Sequence, residues 1–308
     1  MNRGELKLPD KVPPNFSGNW AFFNQITNAQ PIAAYANCIV VVDGDGKLIE
    51  AWNQWDHLFE WGRGPHQIYI SPYDPERHVW VIDDMRHVIF KFTHDGKQLV
   101  QTLGVLDEFG DNDDLQRFRR PTMMDWLPDG TFFVADGYGN TRVVKYDKSG
   151  KPLMKWGTRG NGPGQMIGPH GIAVGGSPPR VFVSDRGNRR IQVFDVNGKY
   201  LDQWPGVAPD SLMLSADEHL WAIDSLTMKI VKYNLSGHVE HSFGQWGTLP
   251  GYTWRMHQVS ADVDGNLYIA EVFGGRTQKF RPKPGADPTK LVWGRPLTPM
   301  AGAGTGSN

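Results

Sequence analysis

Apolar and polar positions along the chain follow a recurring order rather than a helical period. An apolar run ends on an acid, as in VWVID, FFVAD, VFVSD, LWAID and LYIAE; a short polar turn follows, then a strand alternating apolar and basic residues. A glycine turn and a last strand, often ending in Trp, complete the unit. Ahead of each run lies another short segment: PHQIYIS, PTMMDWL, PHGIAVG, PDSLMLS and MHQVSAD. Period-two alternation bounded by turn residues is the mark of strands, so each unit predicts four. The lead residues His66, Thr122, His170, Asp210 and His257 are spaced by 56, 48, 40 and 47 residues. That spacing matches one propeller blade per unit. A degenerate N-terminal copy, from about Phe22 to Trp61 and containing NCIVVVDGDGKLIEAW, brings the number to six. The expectation is an all-β fold: a six-bladed β-propeller of four-stranded antiparallel blades, one domain over residues 1–295, with 296–308 a disordered tail. A two-sheet sandwich would also space its strands regularly, but it would not lock the acids in phase. Asp83, Asp136, Asp185, Asp224 and Glu271 follow their lead residues by 14 to 17 positions, the longer intervals holding the hairpin insertions SPYDPERH and GGSPPR. A carboxylate at a strand end accepts backbone N–H groups of the turn that follows, so these acids read as structural.

Composition narrows the partners. In 308 residues, 32 Lys and Arg face 33 Asp and Glu, leaving no field to steer nucleic acid or an anionic membrane. No segment approaches the roughly 20 apolar residues of a spanning helix. The start, MNRGELKLPDKVPPNF, has no apolar run suited to a signal peptide. This favours the cytoplasm, or secretion if a leader has been removed. The single cysteine, Cys38, excludes an intramolecular disulfide and leaves both compartments open.

Blade phase turns sequence into proximity. The innermost strand of a blade lines the central channel, so His66, His170 and His257, at the same repeat position in alternate units, should meet on one axis. Three imidazoles with a fourth position open are the ligand set of a catalytic zinc site. A lone histidine at a strand start is ordinarily a hydrogen-bonded turn residue; it is the shared phase that favours a common site. Tyr138 and Arg186 each lie just after a strand-ending acid, where the antiparallel second strand returns to the same mouth. Either could be an ordinary turn residue, or face the metal. Arg63, Arg86, Arg119 and Arg255 fall near the mouth too, and would suit an anionic, small-molecule or peptide-like substrate.

The paired units PTMMDWLPDGTFFVADGYGNTRVVKYDKSGKPLMKWG and GPGQMIGPHGIAVGGSPPRVFVSDRGNRRIQVFD closely resemble NHL-repeat propellers, and among them the peptidyl-α-hydroxyglycine α-amidating lyases. The motif likeness spans roughly residues 119–195 plus the two outlying histidines. It implies that His66, His170 and His257 bind zinc, that Tyr138 is the catalytic base and that Arg186 contacts substrate. The implied reaction cleaves a carbinolamide C–N bond, releasing an amide and glyoxylate. Two departures stand out. The family's arginine on the first blade is missing from FFNQITNAQPIAAY, and Gln258 stands where the family has a calcium-binding aspartate. An amide oxygen brings no charge, so calcium there would bind weakly. A phenol with an ordinary pKa near 10 also needs a nearby positive charge to serve as base at neutral pH. The alternatives are a non-catalytic NHL propeller that binds protein or RNA, and a lactonase-like hydrolase. The latter would use oxygen ligands for a hard cation, against which three aligned histidines argue.

Overall fold

A computed structural model describes residues 5–7, 34–59 and 64–300. Its strands form the expected sheets. The first sheet is Gln67–Ile70, Val79–Asp83, Val88–Phe92 and Leu99–Leu103; the second is Pro121–Trp126, Phe132–Asp136, Arg142–Tyr146 and Pro152–Trp156. The third holds Pro169–Gly175, Arg180–Asp185, Arg190–Asp195 and Tyr200–Pro205, and the fourth Pro209–Leu214, Leu220–Asp224, Lys229–Tyr233 and Val239–Phe243. The fifth has three strands, Met256–Ala261, Leu267–Glu271 and Arg276–Phe280. All pair antiparallel, each strand next to its sequence neighbour, which is the propeller blade. Five sheets of three or more strands are thus described, against an expectation of six blades. The N-terminal copy appears as one hairpin, Val40–Val42 with Leu48–Ala51, and a pair joining Glu5–Lys7 to Ala34–Ala36; the rest of that copy falls outside the described residues.

Burial explains the arrangement. Each sheet is apolar on both faces, as the continuous runs foretell, and the cores lie between sheets. Trp80, Ile82 and Phe118 meet Trp126 and Phe132 between the first and second. Met123 and Phe133 meet Val181 and Phe194 between the second and third, Phe182 and Trp204 meet Leu212 and Tyr233 between the third and fourth, and Trp221 and Ile230 meet Met256 and Ile269 between the fourth and fifth. Cys38, Ile39, Trp52 and Phe59 pack the N-terminal copy against Val81 and Phe90 of the first sheet. From the fifth sheet, Lys279 Nζ donates to the Gly44 carbonyl and Arg281 pairs with Asp45. The hairpin therefore contacts both the first and the fifth sheets.

The phase-locked acids tie these units together. Asp136 accepts the Arg119 N–H and the Nε–H of its cross-strand neighbour Arg142 at 2.9 Å. Arg142 also donates to the carbonyls of Asn112, Asp114 and Arg117 in the loop between sheets. Asp185 with Arg190, and Glu271 with Arg276, repeat the device. The acid's structural role holds, and its register partner, an arginine in three of five sheets, extends it to the linker.

At the other end of the inner strands the C-terminal segment crosses several sheets. Gly294 N–H donates to Asp262 and Ala216 N–H to Trp293 O; Arg295 reaches the Val174 carbonyl and the Asp125 carboxylate. Within the stretch read as a tail, Thr298 bonds the Pro72 carbonyl through its N–H at 2.8 Å and its Oγ1 at 2.9 Å.

Candidate metal centre

His66 immediately precedes the inner strand of the first sheet, and His170 and His257 are the second residues of the inner strands of the third and fifth. Their ligand atoms lie within 4.8 Å of one another. Ring centroids are 4.8 Å apart for His66–His257 and His170–His257, and 5.5 Å for His66–His170, with planes near perpendicular. Residues 104 and 87 positions apart in sequence form a near-equilateral triangle. Among the described residues this is the group of His, Cys, Asp and Glu that converges closely enough for a metal ion.

The ring nitrogens facing away from the centre are held. His66 Nδ1 contacts the Thr122 carbonyl at 3.1 Å, and His170 Nδ1 contacts the Asp210 carbonyl. A carbonyl only accepts, so Nδ1 carries the proton in both and the Nε2 lone pair faces inward, which is the usual outer support of a metal-bound imidazole. Burial pushes His170 well below the ordinary histidine pKa, and His257, Arg186 and His66 add to that push. The ring is therefore neutral, the form a metal requires. The Tyr138 oxygen lies 2.7 Å from His170 Nε2, 3.3 Å from His66 Nε2 and 3.5 Å from His257 Nε2. A phenol has one proton to offer; a cation satisfies several nitrogen lone pairs at once. The donor set fits zinc.

Tyr138 is delivered by the turn after Asp136. A Cβ on Gly137 would sit 1.6 Å from the Pro169 carbonyl, so only glycine lets this turn press against the third sheet. Two cations bracket the phenol ring: Arg120 at 5.0 Å and Arg186 at 5.5 Å from its centroid. Each is anchored by a buried acid, Arg120 on Asp84 at 2.7 Å and Arg186 on Asp210 at 2.9 Å. Arg255 shares Asp210, at 3.1 Å. Burial pushes the Asp210 carboxyl above the usual range while the two arginines pull it back. Asp210 thus supports His170 through its carbonyl and aligns two guanidiniums through its side chain.

Of the residues singled out from sequence, the three histidines, Tyr138, Arg186 and Arg255 come together. Arg63 lies outside the described residues. Arg86 is committed to Asp107 through two bonds and to the Leu58 carbonyl, and Arg119 stacks on Phe109 at 4.8 Å. Gln258 spends its Nε2 on the Ile68 carbonyl at 3.2 Å, leaving its oxygen as the atom it could offer a cation. Asp210, Arg120, Asp84 and Gln67 join the site without having been assigned a role in it. Asp210 did occupy the lead position of its unit, the signal that marked the histidines.

No protein-family model matches the chain. It is similar to the mouse NHL repeat-containing protein 3, 32% identical over 79% of this chain and 72% of that one. It is also similar to the Drosophila melanogaster peptidyl-alpha-hydroxyglycine alpha-amidating lyase 1, 28% identical over 76% of this chain, and spans 48% of that protein. Among solved structures, a virginiamycin B lyase from Staphylococcus aureus in complex with quinupristin matches with a TM-score of 0.53 at 18% identity, covering 81% of this chain and 78% of that one, a likeness of fold alone.

Proposed function

The chain belongs to the NHL-repeat family, and from that premise we propose that it is a zinc-dependent lyase of the peptidyl-α-hydroxyglycine amidating type, built on a ring of six units. The observation that carries the proposal is the convergence of three imidazole Nε2 atoms on one phenolic oxygen. Six units are favoured because the histidines come from alternate sheets and the N-terminal hairpin contacts both the fifth and the first.

His66, His170 and His257 would hold the metal. A zinc ion there supplies Lewis acidity and a positive charge that favours the phenolate of Tyr138. The substrate class is an N-acylated α-hydroxyglycine, whose carboxylate the Arg186 and Arg255 guanidiniums would orient. Tyr138 takes the proton of the α-hydroxyl. The O–H electron pair becomes the second bond of the new carbonyl, the C–N bond breaks with its pair on nitrogen, and Tyr138 returns the proton there. An amide and glyoxylate leave, with every atom accounted for. Arg120 and Arg186 stabilise the charge that passes through the phenolic oxygen. Calcium is no part of the proposal, since Gln258, its nitrogen bonded to the Ile68 carbonyl, has only a neutral amide oxygen to offer a cation.

Elemental analysis and a glyoxylate assay test the proposal together. The expected result is one zinc per chain, lost in His66→Ala, His170→Ala and His257→Ala, with glyoxylate released from an acylated α-hydroxyglycine. Tyr138→Phe should keep the zinc and lose turnover by about 100-fold or more. A second reading, protein binding without catalysis, draws on the exposed Leu226, Trp246, Leu249 and Phe273 in loops and turns. A metal-free protein that releases no glyoxylate would favour it.

A further inference from the structure

Two of the three histidines hold Nδ1 against backbone carbonyls, and at the third, His257, Nδ1 meets a side chain. His66 and His170 each donate Nδ1–H to a main-chain carbonyl of a neighbouring sheet. At His170 the following residue, Gly171, could carry no side chain without crowding: a Cβ there would lie 2.9 Å from the Leu212 nitrogen. The fifth and first sheets meet differently. Here two glutamines, each following a ligand histidine, reach across: Gln258 Nε2 to the Ile68 carbonyl, and the Gln67 amide to His257 Nδ1 at 3.2 Å. Gln67 is fully buried, and its Oε1 is buried without a hydrogen-bond partner.

The orientation of this one amide decides what His257 can do. If Gln67 donates N–H to Nδ1, the His257 proton sits on Nε2 and that nitrogen cannot ligate. If the amide turns over, Oε1 gains the Nδ1–H as partner and the Nε2 lone pair faces the other two histidines. Resting on the zinc reading above, we infer that Gln67 is the positioning residue that sets the tautomer of His257. It does with a side chain what carbonyls do for His66 and His170, and metal binding selects the orientation in which Oε1 accepts.

The experiment measures zinc affinity by chelator competition on the full chain, wild type against Gln67→Leu and Gln67→Glu. Circular dichroism confirms folding, and the cobalt(II) absorption spectrum reports on ligand geometry. Loss of an outer hydrogen bond to a metal-bound histidine weakens binding by about 10- to 100-fold, which is the expected deficit of Gln67→Leu. Gln67→Glu can only accept, so it should bind zinc at least as tightly as wild type, with an unchanged cobalt spectrum. A purely structural role for Gln67 would not order the variants this way. Equal affinity in wild type and Gln67→Leu, or weaker binding by Gln67→Glu than by Gln67→Leu, overturns the inference and leaves the zinc site standing. If Gln67→Leu does not fold, the comparison of Gln67→Glu with wild type decides alone, tenfold weaker binding by the former overturning the inference. Absence of zinc from the wild type overturns the parent reading, and this inference with it.

Discussion

Arg142 offers the sharpest test of what holds the ring together. Its side chain is 1% exposed and that of Asp136 is fully buried, so Arg142→Leu leaves a carboxylate in the interior without its cation. It also strips the Asn112, Asp114 and Arg117 carbonyls of their donors. Breaking a buried pair from one side costs about 3–5 kcal/mol, and each abandoned carbonyl about 1–3 kcal/mol before water and loop relaxation recover part of it. We expect a net loss of about 4 kcal/mol; with a urea slope of about 3 kcal/mol/M, the midpoint falls by roughly 1.3 M. The pH dependence adds a second signature. Burial already holds Asp136 above the usual carboxylate range, with Arg142 and Asn140 pulling it back, so losing Arg142 raises it further. An acid whose folded pKa exceeds its unfolded value of about 3.9 binds protons more tightly when folded. The folded state of the variant therefore gains stability as pH falls through that raised pKa. The deficit should be complete at pH 7.5 and shrink towards pH 4. Urea melts at several pH values measure both. A variant within about 1 kcal/mol of wild type at neutral pH, or a deficit that grows on acidification, would refute the clamp.

Asp83 is the contrasting case: its cross-strand neighbour is Val88, its Oδ2 is buried without a partner, and burial with the adjacent Asp84 pushes its carboxyl well above the usual range. Asp83→Asn should cost under about 1 kcal/mol at pH 7.5, against about 3–5 kcal/mol for Asp136→Asn, and should remove the stability that wild type gains on acidification through the raised Asp83 pKa; urea melts report both. Asp210→Asn should keep zinc at the wild-type stoichiometry, because the Asp210 carbonyl on His170 remains, while kcat/KM for glyoxylate release falls about 10- to 100-fold as Arg186 and Arg255 lose their shared anchor. At the far end of the channel, Arg295→Met should cost about 1–3 kcal/mol by stranding the Val174 carbonyl and Asp125, and Thr298→Val about 1 kcal/mol or less, by thermal or urea melts.

What could be read from the chain in advance follows from which interactions repeat. A strand-ending acid recurs in five units at nearly the same distance from the lead residue, so phase alone exposed it, and the same phase brought His66, His170 and His257 together before any distance was known. Interactions made once leave no such trace. Gln67 meets His257 across 190 residues of sequence, and only the closing of the ring brings the inner strands of the first and fifth sheets within side-chain reach. Arg86 and Arg255 look alike as cations near a predicted mouth, yet one is taken by Asp107, from a loop whose course the pattern does not specify, while the other joins Asp210. The clamp arginines were present in the strings RVVKY, RIQVF and RTQKF, but alternation marks them only as basic; what makes them structural is that each stands opposite its acid in the strand register. The N-terminal copy is the hardest to read for the same reason. Of its hairpin, Val41 packs on the cluster of Ile39, Trp52 and Phe59 while Leu48 and Ile49 are exposed, and Asp43 bonds the N–H groups of Asp45 and Lys47 in its own turn, so among the described residues this copy shows no acid paired with a cross-strand arginine where the ring must close. The chain has instead placed two glutamines and a pair of basic side chains, Lys279 and Arg281, at that junction. A closure made of side chains can be tuned one residue at a time, and it lies directly against His257, the third histidine of the candidate metal centre.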